Sequence, residues 1–124
     1  MQPTGEPVWD LIGGLKDLFL EGDTEIVGEI LELYLSDSAA LLAEILVARE
    51  QGQFDQMAAL LHKMKGSALQ AGALRLAAQV KAAELAARAG DFTAPAYGAA
   101  MASLRAEWEL GAALIRIWLS QNPH

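Results

Sequence analysis

No cysteine occurs in the 124 residues, so the chain has neither a disulfide framework nor thiol chemistry. Aromatic residues make up only 6% and β-branched residues are few, which points away from sheets. Positive charge is scarce: 9 Lys+Arg stand against 16 Asp+Glu, a net charge of −7. That balance argues against sequence-independent nucleic-acid binding, which needs a basic surface, but leaves room for a small local basic patch. No stretch is apolar for long enough to span a bilayer, and no membrane role is expected. The first residues, Met1-Gln2-Pro3-Thr4-Gly5-Glu6-Pro7, lack the basic region and apolar run of a secretory signal. The expectation is one soluble, cytoplasmic domain.

What is abundant is helix-forming. The chain is 53% hydrophobic and rich in Ala, Leu, Glu, Gln and Arg. Residues 1–7 read as a loose leader. Val8, Leu11, Ile12, Leu15, Leu18 and Phe19, spaced three and four apart, predict a short amphipathic helix from Val8 to Leu20, weakened by Gly13-Gly14. Asp23 follows a turn as an N-cap for the longest helix, Thr24 to Gln51, which Ser36-Asp37-Ser38 could bend and Gly52 ends. Gln53 to Gln70 and Ala73 to Ala89 predict two more helices, closed by Ala71-Gly72 and Gly90-Asp91. A last helix begins at Thr93 or Ala94, with Pro95 in its first turn, and runs to about Ser120; residues 121–124 are a tail. Short turns make neighbouring helices antiparallel. The fold class expected is all-α: an up-down-up-down four-helix bundle over residues 8–120 with a short additional N-terminal helix.

The chemistry concentrates in Leu60-Leu61-His62-Lys63-Met64-Lys65-Gly66-Ser67-Ala68. On a wheel of residues 53–70, Phe54, Met57, Leu61, Met64 and Ala68 form the core stripe. His62 falls outside it, on a face shared with Asp55, Ala58, Ala59, Lys65, Gly66 and Leu69. Gly66 sits in mid-helix, where glycine is unfavourable by about 1 kcal/mol relative to alanine. It reads as clearing space for another molecule beside the imidazole. Lys65 shares that face and suits a phosphoryl group. Across the turn at Gly72, His62 lies ten residues before and Glu84 twelve after, roughly 15 and 18 Å along the axes, so the two can meet. A carboxylate there would fix the imidazole tautomer. Equally, Glu84 can form a ladder with Lys81 and Arg88 on its own helix, and both arrangements can coexist.

Other chemistries fail on inventory. His62 and His124 make no metal site without a local ligand cluster, and no glycine-rich phosphate loop follows a strand. Ser67, five residues from His62 and on another face, makes no hydrolase.

At these residues the chain resembles the histidine-containing phosphotransfer (HPt) domain family. The family's His-x-(apolar)-Lys-Gly-Ser stands here as His62-Lys63-Met64-Lys65-Gly66-Ser67. Gly72-Ala73-Leu74-Arg75-Leu76, Glu84-Leu85-Ala86-Ala87-Arg88-Ala89-Gly90-Asp91 and, upstream, Leu31-Glu32-Leu33-Tyr34-Leu35-Ser36-Asp37 resemble its other segments. Departures are modest: Met64 replaces the common Leu, and Lys81 and Ala82 stand where other residues are frequent.

The resemblance implies a phosphorelay carrier rather than an enzyme. His62 would be phosphorylated on its outer ring nitrogen, Lys65 would steady the phosphoryl group, and Glu84 would orient the imidazole. Ala58, Ala59, Lys63, Gly66, Leu69 and Gln70 would dock the partner. No cofactor of its own is expected, the Mg²⁺ coming from the receiver domain. Partners would be response-regulator receiver domains and a hybrid histidine kinase, the chain itself a monomer. The competing class is a non-catalytic helical adaptor or inhibitor that binds a receiver or kinase without carrying phosphate. A dimerising bundle, suggested by the apolar Ile115-Arg116-Ile117-Trp118-Leu119, is a further expectation set against ordinary core packing.

Overall fold

The structure, a computed structural model, describes residues 6–90 and 95–123, and every regular element among them is helical. In chain order these are α1 (Glu6–Trp9), a 3₁₀ turn (Gly13–Leu15), α2 (Lys16–Leu20), α3 (Thr24–Glu50), α4 (Phe54–Ala71), α5 (Leu74–Ala89) and α6 (Pro95–Gln121). Asp91, Thr93 and Ala94, and with them the predicted start of the last helix, lie outside the described residues, as does His124.

The four long helices pack in sequence order, α3 on α4, α4 on α5 and α5 on α6, with α6 returning to α3. Each contributes an apolar stripe at helical spacing. Val27, Leu31, Leu41, Leu42, Ile45 and Ala48 of α3 are buried, as are Met101, Leu104, Ile115 and Trp118 of α6. α3 runs unbroken as α-helix through the Ser36-Asp37-Ser38 segment. Ser36 and Asp37 point to solvent, while Ser38 is buried, donates to the carbonyl of Leu35 at 3.2 Å and accepts from Trp108 Nε1 at 2.8 Å. Its hydroxyl is thus satisfied within the helical geometry and by α6. Asp23 stands at the N-cap position of α3, but its side chain makes no capping bond. Ile26 is exposed, since the buried stripe narrows to Val27 and Gly28 at the helix start.

The N-terminal region departs from the continuous helix predicted for Val8–Leu20. It folds as α1, the 3₁₀ turn and α2, and α1 already begins at Glu6 within the expected leader. The reason lies at Gly13-Gly14. Gly13 N donates to the carbonyl of Gly72 at 3.2 Å. A Cβ on Gly14 would come within 3.0 Å of the Ala71 carbonyl oxygen. The two glycines break the helix because they are pressed against the corner between α4 and α5. Trp9, Phe19 and Trp118 close the docking with ring centroids 5.5–6.0 Å apart and tilted or edge-on contacts.

Gly72 is the tightest point of that corner. It ends α4 in the left-handed conformation, φ +77°, and a Cβ there would fall onto Gly14 N and within 2.7 Å of Gly14 Cα. Gly90 ends α5 at φ +75° with open space around it. Gly90→Ala should therefore cost only the backbone term, about 1–2 kcal/mol. Gly72→Ala should add an overpacking cost of about 1–3 kcal/mol, read from urea unfolding of the two variants. Equal losses would contradict the close approach.

Candidate functional site

α4 buries one side and presents the other. Met57, Leu61, Met64, Ala68 and Ala71 are buried, and between these turns His62, Lys63, Gly66, Leu69 and Gln70 face outward. Two wheel-based expectations are corrected. Ala58, expected on the docking face, is buried, because α5 closes against that side of α4 and Ala58 lines a groove with Ala87 and Arg88. Phe54, expected in the core, is 41% exposed at the start of α4, level with the end of α5. Ala59 is exposed as expected.

The His62 side chain is 64% exposed, and its Nδ1 lies 3.1 Å from Oε2 of Glu84, whose side chain is 7% exposed. An ionised carboxylate only accepts, so this geometry assigns the proton to Nδ1 and the lone pair to Nε2. Arg88 donates to the same Oε2 through Nε at 3.0 Å and Nη2 at 2.9 Å. Lys65 Nζ, on a side chain 24% exposed, lies 3.0 Å from Oε1. Glu84 therefore gathers an imidazole and two permanent cations from two helices. Burial raises its pKa, but contacts with Lys65, Arg88 and His62 and the Lys65 charge together hold it below the usual 4.5. Both predicted arrangements of Glu84 coexist in part: the bond to His62 and the pair with Arg88 form, whereas the i−3 partner Lys81 is replaced by Lys65 from α4.

Gly66, one turn after His62, is exposed, and a Cβ placed on it would meet nothing within 4 Å. No packing among the described residues requires this glycine. Shallow grooves flank His62 on both sides. One is lined by Lys65, Leu69, Leu74, Ala77, Ala78 and Lys81, the other by Phe54, Asp55, Ala58, Ala87, Arg88 and Gly90. The α5 share of this face, exposed Leu74 and Leu85 and the cations Lys81 and Arg88, was missed by a reading confined to α4. The available signal was the position of these residues on the side of α5 that carries Glu84. No group of three or more His, Cys, Asp or Glu among the described residues could hold a metal ion. What the site can do is present one nucleophilic nitrogen, with the opposite ring nitrogen anchored on a buried carboxylate.

The Glu84 anchor has a pH signature. Its folded pKa is depressed, so its stabilisation is fully present above the unfolded value near 4.5 and is lost as pH falls through the lower folded value. Glu84→Gln should unfold at lower urea than the parent at pH 7, and the gap should close as the acid range below 4.5 is crossed. A gap that stays constant from pH 7 to pH 3 would show that the carboxylate charge contributes nothing.

The family model of the Hpt domain matches residues 29–118, which span α3 almost from its start, all of α4 and α5, and α6 to Trp118. Searches of curated proteins and of solved structures gave no match. With its matched segment covering most of the chain and carrying His62, Lys65 and Glu84, this all-helical protein belongs to the Hpt domain family.

Proposed function

We propose that the chain is a phosphoryl carrier of a two-component phosphorelay, with His62 as its acceptor. The Nε2 lone pair attacks phosphorus of a receiver domain's phosphoaspartate. The P–N bond forms, the acyl-phosphate P–O bond breaks, and the aspartate leaves as a free carboxylate. Nδ1 keeps its proton throughout, so the ring becomes cation-like, and the Glu84 carboxylate balances that charge. Transfer to a second receiver reverses these bond changes. Mg²⁺ comes from the receiver, and Lys65 steadies the phosphoryl oxygens. A hybrid histidine kinase is the other candidate source, and the carrier acts as a monomer without turnover of its own. The same reading takes α3 to α6 as an antiparallel up-down-up-down bundle and residues 8–120 as the phosphotransfer unit.

The single observation that carries this reading is an exposed imidazole whose Nδ1 is anchored on a buried, cation-held carboxylate while Nε2 has no partner among the described residues. An adaptor that only binds would have no use for that anchor, and a buried carboxylate is costly to keep. The docking face would be Ala59, Lys63, Gly66, Leu69 and Gln70 of α4 with Leu74 and Leu85 of α5. Lys63, with Lys65, Lys81 and Arg88 beside that face, gives an otherwise acidic chain a local complement to the acidic phosphorylation site of a receiver.

Incubation with a receiver domain labelled on its aspartyl phosphate tests the reading. The chain should gain an acid-labile, base-stable label that is absent in His62→Gln, whereas no transfer from any receiver of the source organism would favour the adaptor. Gly66 supplies a second prediction. Gly66→Ala should stabilise the fold by up to about 1 kcal/mol in urea unfolding, since glycine is unfavourable in a helix and the added methyl meets nothing. Gly66→Trp should unfold close to the parent yet slow transfer by more than about tenfold, a docking loss above about 1.4 kcal/mol. Normal transfer by Gly66→Trp would remove the space-clearing role.

A further inference from the structure

Two permanent cations hold Glu84, and they hold it differently. Lys65 reaches Oε1 from α4, one turn after His62, by a flexible stem ending in a point charge. Arg88 reaches from α5, one turn after Glu84, and brings Nε and Nη2 together onto Oε2, the oxygen that also faces His62 Nδ1. An i,i+4 pair between two exposed side chains contributes little. Here the Glu84 side chain is 7% exposed against 55% for Arg88, so the guanidinium covers a carboxylate that water barely reaches. A phosphoryl group on Nε2 would place anionic oxygens one helical turn from Lys65, in competition with Glu84 for the same ammonium. If Lys65 turned outward, the buried carboxylate would keep only Arg88.

We infer that Arg88 is the positioning residue of this site: it fixes Glu84 Oε2, thereby setting the Nδ1–H tautomer and ring orientation of His62, and it lets Lys65 leave Glu84 for the incoming phosphoryl group. The clause on Lys65 rests on the phosphocarrier reading; the clause on the tautomer does not. Arg88 touches no reacting atom and acts through Glu84. The division of labour follows from side-chain chemistry. A planar guanidinium using two nitrogens on one oxygen is pre-organised, whereas an ammonium on a four-carbon stem is easily redirected.

The test reads the ring nitrogens of His62 by NMR in protein labelled with ¹⁵N-histidine, at alkaline pH where the imidazole is neutral. Signals are assigned by their loss in His62→Gln. The parent should show the Nδ1–H form. In Arg88→Gln the signals should move toward the mixture of free imidazole, and transfer from a labelled receiver should slow by about tenfold, the lower end of what deletion of an outer partner does to a metal-bound imidazole. Arg88→Lys keeps the charge with a single nitrogen and should lie between the two. Thermal unfolding followed by circular dichroism accompanies each variant. Arg88→Lys carries the test if Arg88→Gln does not fold. A parental tautomer ratio in Arg88→Gln, or in Arg88→Lys where that variant carries the test, would overturn the inference whether or not the chain carries phosphate. A changed tautomer in a chain that accepts no phosphoryl group would keep the positioning role and remove the phosphocarrier reading.

Discussion

A carboxylate taken out of water costs several kcal/mol unless charge and hydrogen bonds return what hydration supplied. Glu84 sits under that constraint between α4 and α5, and the surrounding site can be understood from how it is met. Lys65 and Arg88 supply charge from one helix each, and His62 supplies the N–H of an otherwise exposed ring. In satisfying the carboxylate, the imidazole directs Nδ1 to Glu84 Oε2 and leaves Nε2 on the other side of the ring. In the proposed phosphocarrier reading, that contact turns a surface histidine into a presenter of Nε2. One oxygen, Oε2, accepts from both Arg88 and His62, so the group that satisfies the buried carboxylate is also the group proposed to carry phosphate.

The register that brings His62 opposite Glu84 depends on the corner between α4 and α5. Gly72 closes α4 in a left-handed turn, and the 3₁₀ turn after α1 lies against it, with Gly13 bonded to the Gly72 carbonyl. The N-terminal segment thus buttresses the far end of the hairpin from the site and is itself held by the Trp9, Phe19 and Trp118 cluster. Gly66 has the opposite character. None of the described residues would meet a Cβ there, so its helix-weakening cost is answered by no contact among them. One glycine is required by the fold; the other leaves open a face beside the histidine.

Much of this was legible in the sequence because it depends on local geometry. The rise per residue and a tight turn make ten residues one way and twelve the other nearly equivalent, so the sequence alone sets His62 level with Glu84. The outward face of Gly66 and Leu69 follows from the same periodicity. What was not legible depends on which side a neighbouring helix stands. A wheel gives the angle of Ala58 from its own stripe but not the approach of α5, and alanine carries no polarity to reveal it. Lys65 reads as a free cation until α5 brings a carboxylate beneath it. Gly13-Gly14 reads only as a weak point in a helix, because its partner Gly72 is distant in sequence. Ser38 reads as a helix breaker until Trp108, seventy residues away, supplies a donor for its hydroxyl.

The central claim is that the Glu84 anchor commits His62 to chemistry at Nε2 alone. The most direct measurement is the ¹⁵N–³¹P coupling pattern of ¹⁵N-histidine protein phosphorylated by a receiver domain. Phosphorus coupled to Nε2 of His62, with the proton retained on Nδ1, is the predicted result. Phosphorus on Nδ1, or a stable phosphate on any residue other than His62, would contradict it.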